Sequence, residues 1–181
     1  MSIFKPAIIF RPAATLALAA LCIAATQAAG PNLGRPATPV EIAAIDIDIP
    51  PSGEGLPPGA GDAGAGETVY QGKCAVCHGA AGQGKPADRL VGGVGTLASD
   101  KPVKTVGSYW PYATTLFDYI RRAMPLNAPM SLTDDEVYAV TAYLLAQDGI
   151  VPKDSVLDAA SLPKVRMPNR GGFVDRSQPR R

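Results

Sequence analysis

The stretch Cys74-Ala75-Val76-Cys77-His78 decides how the rest of this sequence is interpreted. It places two thiols three residues apart and an imidazole directly after the second. A structural zinc site needs four ligands, but His78 is the only histidine of the chain and only two of its three cysteines lie outside residues 1–28, which we expect to be removed, so at least one carboxylate would have to complete the site. The cysteine pair of a thioredoxin-like protein follows a β-strand, whereas the residues that precede this motif have the pattern of a helix. A plain disulfide gives the histidine no role.

The interpretation that uses all three side chains is covalent attachment of a haem c. The two thiols then add across the porphyrin vinyl groups, and the following imidazole reaches the iron. The covalent link holds the cofactor without a large pocket, and the backbone presets the axial ligand. The chain contains this motif once. We therefore predict one covalently attached haem c, bound by Cys74 and Cys77 and ligated by His78.

The residues before the motif and those of the following loop have different patterns. Residues 63–76 lack proline and place Val69, Lys73 and Val76 on neighbouring helical turns, which predicts a helix that ends in the motif. Glycines recur across residues 79–107, and the apolar residues there show no helical or strand periodicity. This pattern predicts a long loop with another group packed against it.

Two further helices are predicted after this loop. One covers about residues 114–123 and stops before Pro125, because the residue that precedes a proline is pushed out of the α region. The other begins at Thr133, where a capping box with Glu136 satisfies two backbone donors, and it ends at Gly149.

The two ends of the chain look different from its middle. Residues 1–28 have the charged, apolar and small-residue order of a secretory signal, with cleavage expected after Ala28, although an uncleaved anchor stays open. We expect Cys22 to leave with this segment. Residues 29–62 are rich in proline and glycine and read as an extended arm, and residues 149–181 form a basic C-terminal arm. Residues 45–49 read either as a short strand or as a docked segment.

The charge excludes some partners. The chain has 17 Lys and Arg against 16 Asp and Glu, and removal of Lys5 and Arg11 with the signal leaves 15 against 16. A nearly neutral chain of this kind favours neither nucleic acid nor an anionic membrane as a partner, and we predict no membrane span after cleavage.

Residues 63–148 resemble the class I c-type cytochromes. The motif is joined by Gly66 and Tyr70, which resemble the small and aromatic pair on the family's first helix, and by Val140 and Tyr143, which resemble their partners on its last helix. The resemblance implies an all-α cytochrome c fold, here with extended N- and C-terminal arms. A close helix crossing at Gly66 is expected whether these helices are the family's pair or any two packed helices, so the crossing alone does not identify the family.

The same resemblance implies the other haem contacts. Met124, followed by Pro125, is similar to the family's Met-Pro ligand loop and is the expected sixth ligand, with Met130 and Met167 as alternatives. Trp110 is the expected aromatic haem contact. The family's Pro-x-Leu behind the ligand histidine reads Asp88-Arg89-Leu90 here, which leaves open which carbonyl orients His78.

Longer stretches resemble the SoxD cytochrome subunits of the sulfane dehydrogenases of bacterial sulfur oxidation. They are KTVGSYWPYATTLFDYIRRAMP at residues 104–125, LPKV at 162–165, MPNR at 167–170 and LPPG at 56–59. Those subunits commonly carry two haem domains, whereas this chain has one motif. The resemblance implies a periplasmic one-electron carrier that accepts electrons from a molybdoenzyme catalytic subunit acting on sulfane or sulfite and passes them to a downstream cytochrome.

Two other functions stay open at this point. One is a free-standing soluble carrier to an oxidase, and the other is a haem enzyme, which would need a distal acid or base that no second histidine can supply. We expect an electron-transfer subunit rather than an enzyme. The two arms, one acidic and one basic, are expected to lie along a partner chain.

Overall fold

The computed structural model describes residues 33–174, so the predicted signal at residues 1–28 lies outside the described part of the chain. The chain divides into two compact units, the first ending at Ile45 and the second beginning at Asp46. The described residues of the first unit, 33–45, include the short helix α1 (Pro39–Ile45). Within residues 33–174, no helix combines the length and the apolar character needed to cross a membrane.

The second unit is mostly helical. Its elements in chain order are β1 (Ala60–Asp62), α2 (Ala63–Lys73), α3 (Ala75–His78), α4 (Val106–Tyr109), α5 (Ala113–Ala123), α6 (Asp134–Gln147), β2 (Val156–Asp158) and a 3₁₀ turn (Leu162–Lys164). The all-α prediction is confirmed, with α2, α5 and α6 as the main helices. The two strands form a small antiparallel ribbon in which Gly61 faces Leu157.

Helix α6 is the centre of the core. Its predicted capping box is present: the Thr133 N–H donates to the Glu136 carboxylate at 2.8 Å, and the Glu136 N–H donates to the Thr133 hydroxyl at 3.3 Å. Every residue from 137 to 146 is buried, which is more than the single apolar stripe of a surface helix. The cause is that α2, α5 and both strands all pack against this helix.

The crossing of α2 and α6 is unusually close. A Cβ placed on Gly66 would lie 2.5 Å from the Ala139 carbonyl carbon and 2.8 Å from the Tyr143 Cβ. The rings of Tyr70 and Tyr143 pack beside this point, with centroids 5.1 Å apart. The expected close approach is therefore present, but the backbone that fills the space of a side chain belongs to Ala139 rather than Val140.

The segment that precedes β1 is docked on the helices. The Ile49 side chain is buried, and its N–H donates to the buried Asp118 carboxylate on α5 at 2.9 Å. Arg122 also binds Asp118, with Nε 2.8 Å from Oδ1. The Tyr138 hydroxyl donates to the Pro57 carbonyl at 2.9 Å, and burial raises the pKa of Tyr138 to about 12, which keeps this proton in place. Of the two interpretations of residues 45–49, the strand is absent and docking is limited to the end of the stretch: Ile45 ends α1 and is exposed, whereas Ile49 is buried.

The segment that follows α6 is docked as well. It buries four apolar side chains in the core: Leu157, Leu162, Val165 and Met167. Further along, the Asn169 amide donates to the Tyr109 carbonyl at 2.7 Å, and the Arg170 guanidinium lies 5.0 Å from the centre of the Tyr112 ring. Both flanking segments of the second unit thus bury some of their apolar groups inside the unit itself.

Candidate functional site

Helix α2 ends where the motif begins. Cys74 caps α2, and its N–H donates to the Tyr70 carbonyl at 2.8 Å. The chain then makes the single turn of α3, in which the N–H groups of Cys77 and His78 both donate to the Cys74 carbonyl, at 3.1 and 3.0 Å. The predicted helix over residues 63–76 is thus two helices that meet at Cys74. Because i and i+3 lie on neighbouring positions of a turn, both thiols and the imidazole share one small region.

The chain reverses directly after the motif. Gly79 has a φ of +80°, a left-handed conformation that a glycine adopts without strain and that ends α3 at His78. Two side chains of α2 hold this reversal, since the Tyr70 hydroxyl donates to the Gly79 carbonyl at 2.8 Å and the Gln71 amide to the Ala80 carbonyl at 2.9 Å. The first helix therefore fixes both the start and the end of the motif.

The loop after Gly79 folds back over the motif. The Gly84 N–H donates to the His78 carbonyl and the Ala87 N–H to the Cys77 carbonyl, both at 2.8 Å. The next carbonyl, that of Asp88, lies 2.7 Å from His78 Nδ1. A carbonyl can only accept, so this contact requires the proton on Nδ1 and leaves Nε2 of His78 as the free lone pair.

The carbonyl that sequence alone left open is therefore that of Asp88. It belongs to the residue that stands where the resemblance places the first position of Pro-x-Leu. A hydrogen bond of this kind sets the tautomer and the plane of a ligating histidine. The side-chain identity at that position matters little to this contact, because the backbone supplies the acceptor.

The two cysteines are unpaired in the described structure, with Cys74 half-buried and Cys77 exposed. Burial raises the pKa of the Cys74 thiol to about 11, so this thiol is protonated at neutral pH, unlike the reactive thiol of a redox pair. Within residues 33–174, no group of three His, Cys, Asp or Glu side chains is arranged to hold a metal ion. The donor set instead fits a haem: two unpaired thiols and one oriented imidazole with a free Nε2.

The three methionines outside the signal segment lie in different environments. Met124 caps the C-terminus of α5, is half-buried and packs against the core. Met130 is 62% exposed, and Met167 is 3% exposed and enclosed by core side chains. The Met167 sulfur is enclosed by the core and could not reach a haem iron, and the Met130 side chain has no packing from the described residues that would hold it in one position. These environments favour Met124 as the sixth ligand.

Trp110 follows α4 and is half-buried, with its ring edge-on to that of Tyr119 at 5.5 Å between centroids. Its indole N–H finds no hydrogen-bond acceptor among residues 33–174. A partly buried indole of this kind suits an acceptor on a bound group.

The stretches that resemble the SoxD subgroup meet in space, which the sequence could not reveal. Tyr109 is contacted by Asn169 through its carbonyl and by Phe173 through its ring, at 5.2 Å between centroids. A Cβ on Gly53 would overlap Pro163 and lie 3.1 Å from the Leu56 side chain. A cavity of about 420 Å³ adjoins the first of these contacts, and its lining includes Leu97, Lys104, Tyr109, Asn169 and Phe173. None of the motif residues lines it.

Comparisons with known proteins agree with this architecture. The cytochrome c family model matches residues 63–148. The chain is similar to a chain in the crystal structure of the sulfane dehydrogenase SoxCD from Paracoccus pantotrophus, with 44% identity and a TM-score of 0.74, covering 81% of this chain and 74% of that one. It is also 32% identical over 111 residues to a thiosulfate dehydrogenase of Stutzerimonas stutzeri (strain A1501). That match covers 61% of this chain but only 35% of the relative, so the chain corresponds to about a third of that protein.

Proposed function

This chain belongs to the cytochrome c family, which implies a covalently bound haem c and a role in electron transfer, and we propose that it carries a single haem as a one-electron carrier. Cys74 and Cys77 are the proposed attachment points, His78 and Met124 the proposed axial ligands, and Trp110 a proposed haem contact. A single haem is expected because the sequence contains one attachment motif.

The observation that carries this proposal is the 2.7 Å contact between His78 Nδ1 and the Asp88 carbonyl. It holds the imidazole with Nε2 free, beside two cysteines that form no disulfide. When bound, a haem c supplies a reversible one-electron couple. The protein orients the imidazole through Asp88 and anchors the attachment turn through Tyr70.

The proposed electron donor is a molybdenum-containing dehydrogenase that oxidises sulfane or sulfite sulfur, and the proposed acceptor is a downstream cytochrome. Two observations support this: the similarity to a chain of SoxCD, and the spatial clustering of the stretches 104–125 and 167–170 that resemble the same subgroup. The signal-like residues 1–28 support a periplasmic location. The chain itself is proposed to make no bonds in substrate, because its only histidine is committed as a ligand and no other can act on a distal side.

The proposal is tested by purification of the haem-loaded protein from its own cells. We expect a molybdenum-containing chain to co-purify, one haem per chain by mass spectrometry, and haem reduction when sulfite, thiosulfate or a sulfane compound is added. Reduction by none of these donors through any co-purifying chain would remove the sulfur assignment, leaving a free-standing carrier to an oxidase as the better function. Bond-making turnover by the isolated chain would favour a haem enzyme.

The sixth ligand has its own test. Met124→His should abolish the thioether-to-iron absorption band and lower the reduction potential, because a thioether ligand raises it. Met130→Leu and Met167→Leu serve as controls that keep the band. Persistence of the band in Met124→His would reassign the ligand to one of the other two methionines.

A further inference from the structure

Both flanking segments of the second unit contribute to its core. Residues 46–62 and 149–174 bury apolar side chains such as Ile49, Leu157 and Met167 inside their own unit, while Val156, Phe173 and Val174 stay exposed. The expectation that the arms lie along another chain stays a prediction for these stretches. The described part of the first unit behaves differently.

Helix α1 buries none of its residues. Its large apolar side chains are Val40, Ile42 and Ile45, which are 80%, 47% and 80% exposed, and Leu33 before it is 88% exposed. Single exposed apolar residues are ordinary, but a short helix on which every large apolar side chain is exposed is not. Within residues 33–174, no buried contact accounts for the apolar composition of this helix.

Local interactions nevertheless hold α1 in shape. The Thr38 N–H donates to the Glu41 carboxylate at 2.8 Å, and the Glu41 N–H donates to the Thr38 hydroxyl at 3.3 Å. Arg35 binds the same carboxylate through two nitrogens, at 2.8 and 2.5 Å. These bonds lower the pKa of Glu41 to about 2, so the Glu41 carboxylate stays charged at neutral pH. The bonds among Arg35, Thr38 and Glu41 are called the clasp below. Seven residues are too few for a stable helix in water, so the clasp supplies order that packing does not.

Two of the three large apolar side chains of α1 share a face, and Val40 lies on the opposite side of the helix. Ile42 and Ile45 are three residues apart and therefore lie on one face, whereas Ala43 points well away from it. Docking of an apolar helix face in a groove of another protein is a common mode of recognition, and a helix that is already formed loses less entropy on binding.

The similarity to SoxCD indicates what the partner is. The match covers 81% of this chain, which is more than residues 46–181 make up, so it extends into the first unit. The matched relative was solved as the sulfane dehydrogenase SoxCD. Part of the first unit therefore aligns with a chain from the structure of that dehydrogenase.

We propose that α1 is a preformed anchor whose Ile42 and Ile45 side chains dock in an apolar groove on the catalytic dehydrogenase subunit. This inference rests on the proposed function and adds the place of contact. A contact small enough for transient electron transfer buries less than about 1,200 Å² and holds a partner weakly. A second attachment through the first unit raises the effective concentration of the haem domain at its donor.

The test compares two charge insertions on the same helix. Haem-loaded Ile42→Asp/Ile45→Asp protein is titrated with the catalytic subunit, and Ala43→Asp is the matched control on another face. We expect the double variant to bind about tenfold more weakly or worse, from the burial lost at two isoleucines, and the control to bind like the unmodified protein. Ile42→Leu/Ile45→Leu should retain binding. The reduction potential and the rate of reduction by dithionite should not change in any variant.

Each other outcome overturns the inference in a recognisable way. If the unmodified protein binds the catalytic subunit and the double variant binds equally well, the anchor is refuted while the proposed function stands. If the unmodified protein neither binds that subunit nor accepts electrons from it, both fail together. Loss of a dimer in sedimentation of the double variant would assign α1 to a second copy of this chain. Loss of binding to vesicles of anionic phospholipid would assign it to a membrane surface.

Discussion

Gly66→Ala tests whether the close crossing of α2 and α6 positions the motif. The added Cβ would lie 2.5 Å from the Ala139 carbonyl carbon, whereas carbon atoms in contact are normally about 3.5–4.0 Å apart. Backbone cannot rotate away as a side chain can, so the two helices must separate by about 1 Å. Overpacking of this kind costs about 1–3 kcal/mol, and the better helix propensity of alanine offsets about 1 kcal/mol of it. If the overpacking cost is near 3 kcal/mol, Gly66→Ala lowers the free energy of unfolding by about 2 kcal/mol.

The chain offers a matched control on the same helix. Gly72 has no heavy atom within 4 Å of its would-be Cβ, so Gly72→Ala should stabilise the protein by about 0.5–1 kcal/mol. At about 2–4 °C per kcal/mol for a domain of this size, Gly66→Ala should lower the Tm by roughly 4–8 °C while Gly72→Ala raises it slightly. Thermal unfolding of the haem-loaded proteins, followed by far-UV circular dichroism, measures both. If both substitutions change the Tm by the same amount and in the same direction, the close contact at Gly66 has no special effect on stability and the reasoning is refuted.

Two further predictions concern bonds that the sequence did not indicate. Asp118→Ala should lower the free energy of unfolding in urea by about 1–3 kcal/mol, because it leaves the buried Ile49 N–H and the Arg122 guanidinium without their acceptor; a change under about 0.5 kcal/mol would show that this carboxylate does not hold the docked segment. Glu136 has a pKa below its ordinary 4.5, chiefly because Lys73 binds it at 2.8 Å, so its contribution to stability is present above that value and is lost as the pH falls through the lower folded value. The difference in unfolding free energy between the unmodified protein and Glu136→Gln should therefore be full at pH 6 and shrink on acidification, and a difference independent of pH would contradict this origin.

Some elements were predictable because their signals are local. The helix expected over residues 114–123 is α5, and the capping box at Thr133 is formed as predicted, since each depends on residues within one turn of the boundary. Helix α4 was missed although Thr105 and Ser108 also form a capping box. The residue at the third position of this helix, Ser108, is a serine rather than the glutamate or glutamine by which a capping box is usually recognised in a sequence.

Other elements were not predictable because they depend on distant partners. Each strand of the ribbon has three residues, too few to display a period of two, and β1 pairs with a segment that follows α6. The two arms were expected to lie along a partner chain because one is acidic and the other basic, and that expectation stays a prediction. Only the folded unit shows that the strands in these segments also pack against α6 and help to bury it.

The sequence by itself indicated the fold family and the proposed haem site, because the attachment motif needs only the order of the five residues 74–78. The tertiary structure alone decided which carbonyl orients the His78 imidazole and which apolar side chains stay exposed. The Asp88 carbonyl reaches His78 only because the glycine-rich loop folds back over the motif, and every residue has a carbonyl that could have done so. Burial is likewise a property of neighbours: Ile49 and Ile45 are the same residue type four positions apart, yet one is enclosed by the core and the other is 80% exposed.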